Sequence, residues 1–135
     1  MIRCLALLAM TFVFSALPLA ASQQEAVSFI AEMVRAIGAT PVTCSADVLH
    51  NTQSYDMQVV CATFDGDFEQ FQWRWTMHLL QNALANQKNG SGKLPHTEPQ
   101  TSWESHGAIH ERIYAVGRTV VGVRFHQGDL ILVYG

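Results

Sequence analysis

The stretch IHERIYAVGRTVVGVRFHQGDLILVYG, residues 109–135, constrains the fold more than any other part of the chain. Dense in Val, Ile, Tyr and Phe, it is interrupted by two tight-turn signals, Gly117–Arg118 and Gln127–Gly128. Gly in the first position of a two-residue turn suits a type II′ hairpin. Two such turns set the register: residue 116 faces 119, residue 126 faces 129, and every other pairing follows by counting outward. The result is a three-stranded antiparallel meander with two unlike faces. His110, Arg112, Tyr114, Val116, Val121, Val123, Phe125, Leu130, Leu132 and Tyr134 share one face, apolar enough to be the core surface against a helix. The other gathers Ile109, Glu111, Ile113, Ala115, Val120, Gly122, Arg124, His126, Asp129, Ile131 and Val133, with Glu111 opposite Arg124 and His126 opposite Asp129. This second face is polar at one end and aliphatic at the other. Antiparallel sheets normally leave such a face wet, so Ile113, Val120, Ile131 and Val133 form a candidate interface with another surface.

Upstream, two helices are expected. In SQQEAVSFIAEMVRAIGATP, Ala26, Phe29, Ile30, Met33, Val34 and Ile37 recur at helical spacing with Glu32 and Arg35 off the stripe, and Gly38 and Pro41 end the helix. Ser22 and Glu25 form a capping-box pattern at its start. A second helix runs from about Asp67 to Gln87, where Asp65 and Asp67 suit a cap. Phe68, Phe71, Trp75 and Leu79 cluster in one arc, and Trp73, Met77, Leu80 and Leu84 in another. A helix this apolar is either sandwiched on two sides or offers one arc to a partner. PVTCS and YDMQVVCATF read as strands, ADVLHNTQS between them as a turn-prone loop, SWESH as a further short strand, and residues 86–102 as a flexible connection. The fold class is α+β: an antiparallel sheet ending in the meander, with two helices packed mainly on one face.

Residues 1–22 carry one positive charge at Arg3, an apolar run from Leu5 to Leu17, Pro18, and small residues at positions 20–22. That is the pattern of a secretory signal peptide. Its apolar run is shorter than the roughly 20 residues of a bilayer-spanning helix, and Cys4 precedes the run, where a lipoprotein cysteine would follow it. No membrane span is expected after cleavage. Residues 23–135 then form a single α+β domain whose formal net charge, without Arg3, moves from −3 to −4. Its Lys and Arg are scattered singly, which excludes nucleic-acid binding by counterion release. Only Cys44 and Cys61 remain, an even pair in an exported protein, and facing strands can join them as a disulfide. The other readings are two buried free thiols, if the protein is not exported, and a redox pair, for which CxxC spacing is absent.

Four constellations could carry chemistry. Glu111, Arg124, His126 and Asp129 offer a general base and an anion clamp, or else cross-strand pairs that fix register on a wet face. His106 and His110, four apart, with His126 on the neighbouring strand, could hold zinc or copper, although HExxH is absent and Gly107 loosens the geometry. Asp65, Asp67 and Glu69 alternate like the start of a calcium loop, but position six lacks its glycine and position twelve its acid, which favours helix capping. Trp73, Trp75, Phe68, Phe71 and Trp103 form an aromatic group that is first of all core, with sugar or protein contact as the alternative. Because Trp73 and Trp75 point about 200° apart on a helix, both cannot face the same sheet.

No nucleophile motif or glycine-rich phosphate loop is present, so no cofactor is expected. The function expected is that of a small exported module, secreted or periplasmic, working without catalysis by contact with another protein or itself. The alternative is an envelope metal-binding protein or small hydrolase built on the His and carboxylate groups.

Overall fold

A computed structural model describes residues 23–135. The signal-peptide segment, Cys4 and the Ser22 cap lie outside the described residues. In chain order the elements are α1 (23–36), β1 (Thr40–Val42), α2 (Ala46–Gln53), β2 (Gln58–Thr63), α3 (Phe68–Asn89), β3 (Thr97–Pro99), β4 (Glu104–His106), β5 (Ile109–Val116), β6 (Thr119–His126) and β7 (Asp129–Tyr134). The α+β class holds. One antiparallel sheet runs β1-β2-β7-β6-β5-β3, with β4 beside β3 on the other half of β5.

The meander has the register its turns dictate. Val116 pairs with Thr119, Glu111 with Arg124, and His126 with Asp129. Gly117 has φ +56° while Arg118 stays out of the left-handed region, as a II′ turn requires. Gln127 and Gly128 both have positive φ, +48° and +89°, the pattern of a type I′ turn. Gly117 is also a point of close approach. Glu25 of α1 accepts from the Arg118 backbone N–H at 2.9 Å and from its Nε at 2.9 Å, and its carboxylate fills the space where a Cβ at position 117 would stand.

Helices α1 and α3 cover the apolar face. All six stripe residues are buried, five within α1 and Ile37 just past its end, and the helix ends in a Schellman arrangement. Ala39 N–H donates to Val34 C=O and Gly38 N–H, at φ +77°, to Arg35 C=O. Helix α3 starts at a capping box, Asp67 accepting from Gln70 N–H and Gln70 Oε1 from Asp67 N–H, and stops at Gly90 with φ +69°. Its Phe71 stacks on Phe125 at 4.7 Å, and Trp75 meets Phe29 edge-on and donates Nε1–H to Tyr114 Oη at 3.0 Å. His110 and Arg112 sit at the margin of this face with partners, and Thr119, opposite Val116, is buried at its turn end. His110 stacks on Phe68 at 3.7 Å and bonds Ser105 Oγ, while Arg112 donates to Thr101 C=O and lies over Trp103 and Tyr114.

Two expectations need correction. ADVLHNTQ is not a loop but the eight-residue α2. Ser45 caps it by accepting from Val48 N–H, Asp47 suits its first turn, and Thr52 and Ser54 hydroxyls bond back to its carbonyls. Three helices are therefore present among the described residues, and α2 lies on the face opposite α1 and α3. The 86–102 connection also carries structure. Asn82 and Asn86 side chains accept from Leu94 and Gly92 N–H, Leu94 is buried, and β3 pairs with β5. Side-chain amides replace a hydrophobic period there, which is why no period is visible in the sequence.

Candidate functional site

The site follows from one parity argument. Cys61 pairs across β2–β7 with Ile131, and residues opposite one another in a sheet share a face. Its sulfur therefore points to the outer face, away from α1 and α3. The Cys44–Cys61 disulfide, with Cα atoms 5.2 Å apart, draws the following segment over that outer face. Helix α2 has no buried residue of its own and, at eight residues, is too short to be stable alone. The disulfide and the short return through Asp56, at φ +52°, into β2 hold it in place.

Beneath α2 lies a groove of about 490 Å³. Val48, Asn51, Thr52, Tyr55 and Met57 form the wall, and Ile113, Gly122, Ile131 and Val133 the floor. Gly122 lowers the floor between Ile113 and Val133, its partners on either side. A Cβ there would stand 2.9 Å from a Val133 methyl. One end is polar: Glu111 accepts from Arg124 Nε at 2.9 Å and Nη2 at 2.8 Å. Both side chains are partly exposed, so the pair contributes about 0–1 kcal/mol and matters more for register and for marking the groove's polar end.

The four aliphatic candidates divide. Ile131 and Val133 are half-buried below α2, whereas Ile113 and Val120 remain 43 % and 53 % exposed. Tyr55, at the rim, is 78 % exposed. The outer face is thus roofed at one side and open at the other. Of the polar group, Glu111 and Arg124 meet, while His126 and Asp129 face each other across the turn without a side-chain hydrogen bond among the described residues. The three histidines are not brought together. His106 pairs with Ile109, and Ile109 with His126, which places both histidines outside, but His110 pairs with Ser105 and Phe125 on the core face. No group of three or more His, Cys, Asp or Glu poised for a metal occurs among the described residues.

Sequence reasoning missed the groove wall. The signal for it was Ser45 followed by Asp47 ahead of Val48, an N-cap pattern, and the parity of Cys61, which already indicated the face. A second concavity, about 510 Å³ between α1 and β2, is lined by Val27, Ile30, Val34, Pro41, Val60 and Tyr134 among others. Arg35 at its margin is engaged by Glu32. That hollow lacks the convergent polar groups that would orient a ligand.

Among the described residues no helix is long and apolar enough to cross a membrane. Compared with protein-family models, with curated proteins and with solved structures, the chain has no match, and its functional reading rests on this geometry.

Proposed function

We propose that the protein is a small exported binding module, secreted or periplasmic, that takes an apolar segment of a protein partner into the groove between α2 and the outer sheet face. The observation that carries the reading is that groove: an aliphatic floor on the side of the sheet that ordinarily faces water, walled by a helix that a disulfide holds in place. Ile113 and Val120 continue the apolar surface beyond the wall, and the Glu111–Arg124 pair gives its other end polar groups for backbone or side-chain contacts. Export is supported by the Arg3, Leu5–Leu17 and Pro18 pattern and by the disulfide, which persists in oxidising compartments.

The test is selection of a random peptide library on the oxidised protein, followed by counter-screening against Ile113→Glu. The expected result is enrichment of peptides with apolar side chains whose binding is lost in the variant, with NMR shifts confined to residues around Ile113, Gly122 and Val133. No enrichment, or binding indifferent to Ile113→Glu, would refute the reading. Intact mass tests export separately: cleavage near Gln23, with thiol labelling only after reduction, is expected.

A further inference from the structure

Helix α3 divides cleanly into a buried and a bare side. Phe71 and Trp75 are fully buried, but Trp73, Leu80 and Leu84 are 67 %, 49 % and 55 % exposed, with Met77 half-buried between them. Residues 73, 77, 80 and 84 are spaced four, three, four, the seam spacing of helices that pack side by side. From Trp75 to Gln87 the helix has no Asp, Glu, Lys or Arg. Glu69 in the first turn and Lys88 in the last are both exposed and make no ion pair among the described residues. A hollow beside Trp73 is lined by α3 and its cap alone, with no second wall among the described residues.

These residues are arranged symmetrically about the middle of the helix. The pairs 73 and 84, 77 and 80, and 69 and 88 all share one midpoint, between His78 and Leu79, which is also the midpoint of α3 (Phe68–Asn89). At about 100° per residue the six positions fall within an arc of roughly 100°. We infer that this face is completed by a second copy of the chain, whose α3 packs antiparallel to the first about a two-fold axis at the helix centre. Trp73 then meets Leu84 of the other copy, Met77 meets Leu80, and each Glu69 meets a Lys88. The uncharged middle lets two identical surfaces approach without like-charge repulsion, the ends are complementary in charge, and the two helix dipoles oppose. A parallel arrangement would instead set Glu69 against Glu69 and Lys88 against Lys88. The sheet edges among the described residues are poor competitors, because β1, β3 and β4 have three residues each, and β1 and β3 carry Pro41 and Pro99. A single helix pair sits at the low end of specific interface sizes, on the order of 1,000 Å², which suits a dimer of micromolar strength.

The experiment is sedimentation equilibrium on the oxidised protein from about 5 μM to 1 mM, a range that brackets such a dimer. Twice the monomer mass is expected at the upper end. Leu80→Glu should abolish the dimer with an unchanged far-UV spectrum, since the position is exposed. Glu69→Lys and Lys88→Glu should each weaken it severalfold, and the double swap should restore it. Three results would overturn the inference: a monomer throughout, a dimer indifferent to Leu80→Glu, or single swaps that the double swap fails to rescue. Peptide binding in the groove is a separate readout, unaffected by Leu80→Glu.

Discussion

Replacing Cys44 by Ser and Cys61 by Ala removes the bridge that places α2. Ala is chosen at 61 because that residue is buried, at 8 % exposed, where a hydroxyl would lack a partner. The bridge spans 17 residues, and closing a loop of that length in the unfolded chain is worth about 3 kcal/mol. Against a typical domain stability of about 5–15 kcal/mol, the variant should still fold. The loss should move the urea midpoint down by on the order of 2 M. The structural effect should be local. Helix α2 has no buried residue, and without the bridge its eight residues are held chiefly by their own capping bonds. Amides of residues 46–57 should then exchange with solvent at near-unprotected rates, while those of β5, β6 and β7 keep the protection of global unfolding. A loss below about 1 kcal/mol, with the α2 amides still protected, would refute the argument, because α2 would then be fixed by packing rather than by the disulfide.

Three further outcomes are expected. Trp75→Phe removes the buried bond to Tyr114 Oη and part of a fully buried side chain, and should cost about 2 kcal/mol in urea unfolding. Gln127→Asn relieves a left-handed residue in a type I′ turn and should raise stability by about 1 kcal/mol, seen as a higher melting temperature. Hydrogen bonds from the Arg118 backbone N–H and side chain hold the Glu25 carboxyl below its ordinary value of 4.5. Its contribution is therefore present above about pH 4.5 and lost as pH falls through the lower folded value. The stability difference between the wild type and Glu25→Gln should shrink to nothing across that acid range, and a difference that persists below it would show that packing, not charge, is responsible.

The meander was legible because two short turns leave only one register, and that register decides which side of the sheet every residue occupies. The core faces of α1 and α3 follow from helical spacing for the same reason: burial of an apolar stripe overrides local preference. Helix α2 was hidden because Asp47, Asn51 and Ser54 are as common in turns as at helix ends, and because a tertiary cross-link rather than an apolar stripe holds it. The three histidines are not brought together, and the strand register is the reason. Once His126 is assigned to the outer face, counting along β5 puts His110 on the inner one. The aliphatic outer face was legible as a surplus of apolar surface, but its shape as a groove needed α2. The sequence pattern does not show where a bridge will draw a short helix until the parity of Cys61 is used.

The most direct test of the central claim, that the disulfide-held helix and the outer sheet face together form the binding site, is the affinity of a groove-selected peptide for the oxidised wild type and for the folded Cys44→Ser, Cys61→Ala variant, measured side by side by calorimetry. The account expects binding to weaken at least tenfold when α2 is released, a difference of about 1.4 kcal/mol or more. Equal affinity for the two proteins would contradict it, because the peptide would then be bound without the wall that defines the groove.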